Sequence, residues 1–199
     1  MSSTESETRI RILEATWQLM IERRGQGVRM SDIAAAAGVS RQALYLHFSS
    51  RAELLVATTQ YGDQVRGLQE RLAPWLAATK GVELLQEFIE FWGNYLPEIY
   101  GIAKALLLNR ETDEAAATAW NERMAVVRGS CRRTIEALQR DGMLRSEWDL
   151  DEATDLMWTT LSIPNWEQFT NECGWSTSQY VSHMQTLLRR TLVKKRKGN

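Results

Sequence analysis

The side chains with the clearest chemical capacity lie near position 41 of this 199-residue chain. Arg41 and Gln42 can donate and accept hydrogen bonds, while Leu44 and Phe48 have the i, i+4 spacing of an apolar helix face. The other face of this short helix then consists of Arg41, Gln42, Ala43, Tyr45 and Leu46. A short helix with such an outward face suits insertion into a DNA major groove.

The elements around this helix are predicted from caps and a turn. Apolar residues at helical spacing predict a preceding helix over residues 30–37, and Gly38 follows where a helix ends in a left-handed residue. Ser40 is a favourable N-cap for the helix that contains Arg41. Ser50-Arg51-Ala52-Glu53 matches a capping box, so a longer helix is expected to begin there. Together these elements predict a helix-turn-helix.

These residues closely resemble the DNA-binding domain of TetR-family transcriptional regulators. The matching segments are Ile12-Leu13-Glu14-Ala15, Asp32-Ile33-Ala34, Ala37-Gly38-Val39-Ser40, Leu44-Tyr45, His47-Phe48 and Leu54-Leu55. The resemblance is specific over roughly residues 8–55 and only architectural beyond them. The alternative is an amphipathic three-helix bundle that binds nothing.

The resemblance implies DNA contacts at specific positions. They are Arg29, Ser31, Ser40, Arg41, Gln42, Ala43, Tyr45, His47 and Arg51. Residues 41–43 are expected to reach base edges, since arginine and glutamine bond guanine or adenine in a bidentate manner and alanine contacts a thymine methyl. Tyr45, His47 and Arg51 are expected near phosphates. Tyr45 as a packing residue and His47 as a structural histidine remain alternatives.

Position 29 departs from the family pattern. The family commonly has a threonine there that caps the second helix, whereas this chain has Arg29. The cap is therefore expected to shift to another residue, and Arg29 is left free to contact DNA backbone or bases.

The whole chain is predicted to be all-α, with about nine helices. The expected division is a helix-turn-helix domain over residues 1–50, a ligand-binding and dimerisation domain over 51–194 and a basic disordered tail over 195–199. Beyond the first domain, helices are expected over 51–73 (stopping before Pro74), 81–96, 97–109 (starting at Pro97), 112–140, 149–173 and 176–194. The last two are expected to form a homodimer interface, unless their apolar faces only close the core of the monomer.

Aromatic residues define the candidate effector site. Eight tryptophans occur in the chain, and seven follow the first domain. The candidate ligand-binding residues are Trp92, Tyr95, Tyr100, Trp120, Met124, Trp158, Ser162, Asn165 and Trp166. Pro164 is expected to kink a helix and free the carbonyl near Thr160, which would widen a pocket. Aromatic residues at helical spacing that simply form the core are the alternative.

The amino-acid composition limits the kinds of partner that this chain is expected to bind. The net charge is −1, and residues 189–199 contain six cations and no acid, leaving 18 cations against 25 acids elsewhere. Such a chain is expected to bind DNA through a few placed contacts rather than through bulk charge. The basic tail is interpreted as a solvated end or as a supplementary contact with DNA or a partner. With no apolar run long enough for a membrane and no signal-like start, we expect a cytoplasmic protein without membrane contact.

The expected function is a repressor that releases a palindromic operator when a small apolar or aromatic effector binds. A ligand-dependent activator uses the same parts, and a thiol-based redox sensor acting through Cys131 or Cys173 is a further alternative. A purely architectural DNA binder would lack a cavity and show little sequence preference. An enzyme is not expected, because His47 and His183 are the only histidines and no acid–base cluster accompanies them. No cofactor or metal is expected either.

Overall fold

The computed structural model describes residues 3–195, and these residues form an all-α fold. The helices are α1 Ser3–Glu22, α2 Met30–Ala36, α3 Arg41–His47, α4 Arg51–Val65, α5 Leu68–Ala77, α6 Gly81–Asn109, α7 Glu114–Arg140, α8 Leu150–Thr160, α9 Ile163–Glu167 and α10 Thr177–Leu192. A π-helical turn, Gln168–Glu172, continues α9. The all-α prediction is confirmed. No helix within the described part of the chain is long and apolar enough to cross a membrane.

The chain divides into two compact units, each assembled from two stretches of sequence. The first unit runs to Leu68 and includes Ile99–Arg123. The second consists of Gln69–Glu98 and the chain from Met124 onward. Of the predicted basic tail, only Lys195 lies within the described residues.

The first unit has a core built around α1. The fully buried side chains include Ile12, Met20, Ile33, Leu44 and Leu54, which come from α1 to α4. Trp17 of α1 packs against Gly62 of α4 so closely that a side chain at position 62 would collide with the indole. Because α1 and α4 both contact this core, the helix-turn-helix rests on a fixed support.

The predicted helix over residues 51–73 is wrong at its C-terminal end. The helix stops at Val65, and Gly67 adopts a left-handed conformation with φ +64°. A new helix then continues through Pro74 to Ala77. Trp75 provides the physical reason, because its buried ring packs on Phe88 at 5.7 Å between centroids, which offsets the hydrogen bond lost at the proline.

Pro97 does not start a helix, contrary to the prediction. It lies inside the continuous α6, which the sequence pattern had divided at this residue. An interior proline removes one backbone hydrogen bond and costs about 3 kcal/mol. The neighbours Tyr95, Leu96 and Ile102 are buried, and this burial holds the helix together across the proline.

Pro164 was predicted to kink a long helix, and this too is wrong. The chain leaves helical geometry at Leu161, and Ser162 caps the new helix α9, so the proline occupies the first turn, where no hydrogen bond is lost. The carbonyl of Thr159 accepts a hydrogen bond from the side-chain amide of Asn165 at 2.8 Å. The interruption is therefore a capped break between two helices.

The remaining predicted helix ends agree with the structure to within two residues. Asp149 and Ser176 cap α8 and α10, and a capping box is present at the start of each helix. Gly142, at φ +67°, follows the end of α7. After α10 the chain pairs with the segment behind Gly142, since the Lys194 amide donates to the Met143 carbonyl at 2.8 Å.

Candidate nucleic-acid interface

The turn between α2 and α3 is built by glycine geometry and backbone hydrogen bonds. Gly38 has φ +66°, which favours glycine, and its amide donates to the Ala35 carbonyl at 3.2 Å. The next amide, that of Val39, donates to the Ala34 carbonyl at 3.0 Å. The hydroxyl of Ser40 then accepts the Ala43 amide at 3.0 Å and caps α3. The predicted turn and cap are confirmed.

The two faces of α3 differ completely in exposure. Leu44 and the following Phe48 are 0% exposed, whereas Leu46 is 83% exposed. Arg41, Gln42 and Tyr45 are also exposed, and Ala43 and His47 are half-buried. The Arg41 guanidinium lies 5.7 Å from the centre of the Tyr45 ring, so the two side chains share one surface. The outward face of α3 therefore contains donors, acceptors and a large apolar side chain.

Arg29 occupies the N-cap position of α2 without capping it through its side chain. Asp32, three residues later, provides part of the capping, because its carboxylate accepts the Arg29 amide at 3.3 Å. The same carboxylate pairs with Arg23 at 2.9 Å. The hydrogen bond from the Arg29 backbone is the main reason why the pKa of Asp32 is lowered. Burial opposes this shift, and the contacts with Arg23 add to it. Arg29 therefore remains at the N-cap position, with its amide bonded to Asp32, and its side chain is exposed.

An open cleft of about 550 Å³ brings five of the predicted DNA-contacting residues together. Its lining includes Arg29, Ser31, Arg41, Tyr45 and Arg51. The remaining wall comes from residues 27, 28 and 30 and from Asp113, a residue that the sequence reasoning had not selected. With three guanidinium groups and one carboxylate, the lining is a cationic surface suited to a phosphate.

Arg51 is held by groups inside the first unit. Its Nε donates to the Val28 carbonyl at 2.9 Å, and its Nη1 contacts both carboxylate oxygens of Asp113 at 2.6 and 2.5 Å. The side chains are 20% and 25% exposed. Arg51 is predicted to contact a phosphate, and its side chain already has an anionic partner, the Asp113 carboxylate.

The start of α4 is fixed by a local hydrogen-bond network. Ser50 accepts the Glu53 amide at 3.1 Å, and the Glu53 carboxylate accepts the amide and hydroxyl of Ser49 at 2.8 and 2.6 Å. The hydrogen bonds from the Ser49 side chain and backbone lower the pKa of Glu53. These bonds set the position of Arg51, the first residue of the helix.

Comparison with known proteins agrees with this geometry. Residues 12–58 match the family model described as "Bacterial regulatory proteins, tetR family". The HTH-type transcriptional regulator CymR of Pseudomonas putida is 28% identical over 164 residues, which cover 76% of this chain and 73% of that protein. Residues 12–58 therefore match a DNA-binding domain of the kind found in TetR-family transcriptional regulators.

Solved structures share the fold at lower identity. A protein from Saccharomonospora viridis in complex with choline has a TM-score of 0.74 and 21% identity, covering 96% of this chain and 100% of its own. The fatty acid degradation regulator FadR of Bacillus halodurans has a TM-score of 0.71 and 20% identity, with coverages of 94% and 95%. NalD of Pseudomonas aeruginosa, the secondary repressor of the MexAB-OprM multidrug efflux pump, has a TM-score of 0.71 and 19% identity, with coverages of 98% and 100%.

The candidate effector residues of this chain fall in both units. Tyr100 and Trp120 belong to the first unit, and the others belong to the second. Trp120 is buried, with the Arg110 guanidinium 5.6 Å from its ring, while Tyr100 is half-buried. In the second unit, Trp166 is buried and Met124 is half-buried.

Several of these residues already have structural partners. Trp92 is buried, and its indole N–H donates to the Leu161 carbonyl at 2.8 Å, which ties α6 to the end of α8. Tyr95 is buried and stacks on Phe91 at 5.3 Å. The half-buried Trp158 has the guanidinium of Arg128 5.9 Å from its ring. These contacts show that Trp92 and Tyr95 pack in the core, and a ligand-binding role for these residues stays a prediction.

The polar candidates at the α8–α9 break also have partners. Ser162 caps α9 by accepting the Asn165 amide at 3.5 Å. The Asn165 side chain donates to the Thr159 carbonyl and, at 3.5 Å, to the Thr160 carbonyl. Both side chains therefore stabilise the break itself.

Tyr180 of α10 is a polar group that the sequence reasoning missed. Its side chain is 0% exposed, and its hydroxyl has no hydrogen-bond partner among the described residues. Burial raises the pKa of this hydroxyl. The ring lies beside Phe169 of the π-helical turn at 6.3 Å and close to Gly93 of α6. The sequence pattern places Tyr180 on the apolar face of a helix. Such a pattern predicts that a residue is buried but not whether its hydroxyl has a hydrogen-bond partner.

The two cysteines have opposite surroundings. Cys131 is fully buried, and burial raises the pKa of its thiol to about 12 despite the opposing charge of Arg128. A thiol with such a pKa holds very little thiolate at neutral pH, so Cys131 lacks the reactivity that a redox sensor needs. Cys173 is exposed.

Proposed function

We propose that this chain is a TetR-family regulator and acts as a repressor that binds a palindromic operator as a homodimer. A small apolar or aromatic molecule that binds the second unit would release the DNA. The observation that supports the proposal most strongly is the division of α3 into a buried apolar face and an exposed face with Arg41, Gln42 and Tyr45. A helix of this kind meets the requirements for sequence recognition in a major groove.

Arg41 and Gln42 are the proposed base-recognising residues. They lie in the first turn of α3, and both side chains are exposed. Each can form a bidentate pair with a purine, and Ala43 can contact a thymine methyl. The phosphate contacts are assigned to the cleft residues Arg29, Ser31, Tyr45 and Arg51. His47 and Ser40 are proposed as further DNA contacts.

The proposed dimer would form through the last two predicted helices, which correspond to α8 with α9 and to α10. Most apolar side chains of α10 are buried within the subunit, including Val181, Met184 and Leu188. Leu187 is 47% exposed and offers an apolar contact for a second copy. Two-fold symmetry would place two recognition helices about one DNA turn apart, and the operator would then be an inverted repeat.

The proposed effector would bind near Tyr180 and the π-helical turn. A buried hydroxyl without a partner costs about 1–3 kcal/mol, and a ligand that supplies a hydrogen-bond acceptor would recover this energy. Phe169 of this turn and Trp175 of the segment before α10 stack at 4.4 Å, so aromatic surface lies beside the turn. A π-helical turn inside a helix is often found at a functional site. These features favour a planar apolar molecule with one polar group.

Two points support the proposal of repression. One is the description of a structural neighbour, and the other is the principle that a ligand shifts a conformational equilibrium. NalD is described as a repressor, and another neighbour was solved with choline bound. A ligand that binds better to a conformation with altered spacing of the recognition helices would shift the dimer away from the operator.

The test has two stages. In the first stage, duplexes that bind the purified protein are selected from a random-sequence pool. The enriched sequence is expected to contain an inverted repeat, and the protein is expected to protect this repeat in footprinting. Small molecules that raise the melting temperature are then added to the protein–DNA complex, and release of the duplex is expected. A selection without enrichment would refute sequence recognition. Effectors that tighten binding to the duplex would instead favour the activator or co-repressor mode.

A further inference from the structure

The pair formed by Arg51 and Asp113 joins two parts of the first unit that are 62 positions apart in sequence. Asp113 precedes α7 and caps it, because its Oδ1 accepts the amides of Ala115 and Ala116 at 3.1 and 3.3 Å. The same carboxylate binds the Arg51 guanidinium through both oxygens. One acid thus has two functions, a helix cap and a counterion.

The charge of Asp113 lies where a DNA phosphate is proposed to bind. Both residues line the cleft that also contains Arg29 and Arg41. A carboxylate and a phosphate bind a guanidinium in similar geometry, so the two anions compete for the same donors. The pair is only about one-quarter exposed or less, so its attraction is weakly screened by salt.

We propose that Asp113 acts as an internal competitor for the DNA phosphate and limits the affinity of the regulator for its operator. The inference rests on the proposed use of this cleft in DNA binding. In the free protein, Asp113 neutralises Arg51 and holds it against the Val28 carbonyl. On DNA, Arg51 must share its donors with a phosphate or exchange one anion for the other. Asp113 is a positioning residue that acts through Arg51.

Substitution by Asn tests the charge without removing the cap. Asp113→Asn keeps a side-chain oxygen for the two α7 amides, and asparagine is as favourable an N-cap as aspartate. We expect it to bind the duplex enriched by the wild-type protein several-fold more tightly at low salt. We also expect the slope of log K against log salt to become more negative by about 0.9 for each subunit, the value for one further neutralised phosphate.

Three further variants make the test specific. Asp113→Ser also retains a capping oxygen and should show the same steeper slope. Glu98→Gln removes the same charge from a pair with Arg71 in the second unit and should leave the slope unchanged. Adding Arg51→Gln to Asp113→Asn should abolish the gain, since the freed cation is then absent.

The outcomes separate the inference from the proposed function. A steeper slope for Asp113→Asn and Asp113→Ser, with Glu98→Gln unchanged, supports the competitor role. Wild-type slopes in both Asp113 variants would overturn it while leaving DNA binding intact. A wild-type protein that enriches no duplex would overturn the proposed operator recognition, and the inference with it.

Discussion

The outward face of the helix-turn-helix and the aromatic interior of the second unit use polar side chains in opposite ways. On α3, Arg41 and Gln42 are exposed on a helix whose opposite face is fully buried. In the second unit, Trp92 is buried and its indole N–H is bonded to a backbone carbonyl. The first region exposes its polar groups to solvent, and the second uses polar groups such as the Trp92 indole N–H to hold its own helices.

This difference shows in which of the two regions residue type alone indicates function. An exposed arginine on a short helix contributes little to the stability of the protein, so binding is the simplest reason for its position. A buried tryptophan contributes strongly to stability whatever else it does. For the second unit we therefore propose function at the Tyr180 hydroxyl, which has no partner among the described residues, rather than at aromatic residues in general.

The largest expected effect is the loss of stability caused by truncating Trp92. Trp92→Ala should lower the free energy of unfolding by about 3–5 kcal/mol, because it leaves a cavity and an unbonded Leu161 carbonyl. Urea unfolding followed by circular dichroism measures this change. Trp158→Ala, at a half-buried position, is the control and should cost clearly less. Equal losses in the two variants would contradict the structural role assigned to Trp92.

The second effect should appear in DNA binding alone. Arg41→Ala is expected to weaken binding to the selected duplex by about 1–3 kcal/mol, the discrimination that one bidentate base contact provides. The unfolding free energy should change by no more than about 0.5 kcal/mol, since the side chain is exposed. Fluorescence anisotropy and urea unfolding measure the two quantities. Arg132→Ala, which removes a half-buried arginine of the second unit, serves as the charge control. Unchanged affinity in Arg41→Ala would remove this residue from the interface.

Tyr180 provides a smaller effect with the opposite sign. Tyr180→Phe removes a buried hydroxyl that has no partner among the described residues, so the unfolding free energy should rise by about 1 kcal/mol. The same variant should respond more weakly to an effector that shifts the melting temperature of the wild-type protein. Tyr95→Phe, at another buried tyrosine, should give no such gain in stability. A Tyr180 variant that is less stable than the wild type would show that the hydroxyl is paired.

The smallest effect concerns the thiols. In the native protein a thiol-specific reagent should modify Cys173 and leave Cys131 untouched, because Cys131 is buried with a pKa of about 12. Affinity for DNA should not change after modification. Cys173→Ser should show no rapid reaction until the protein is unfolded. Rapid modification of Cys131 accompanied by loss of DNA binding would restore the redox-sensor alternative.

The sequence predicted the helix-turn-helix well because its determinants are local. Gly38 supplies a left-handed residue, and Ser40 and Ser50 cap helices through amides only three residues away. Interactions of this range can be inferred from neighbours along the chain.

Tertiary packing decided the elements that the sequence predicted wrongly. Pro74 and Pro97 lie inside helices because buried neighbours offset the local cost of proline. At Pro164 the capping hydroxyl of Ser162 marks the break, and the proline only follows it. The partner of Arg51 could not be inferred at all, because Asp113 lies 62 positions away and reaches it only through folding.

The central claim is that the exposed face of α3 recognises a specific DNA sequence. The most direct test is the ratio of the affinities of the wild-type protein for the selected duplex and for a scrambled duplex of equal length, at one fixed salt concentration near the physiological value. We predict a ratio of roughly 10³ or more, as for other sequence-specific regulators. Equal affinities for the two duplexes would contradict the account.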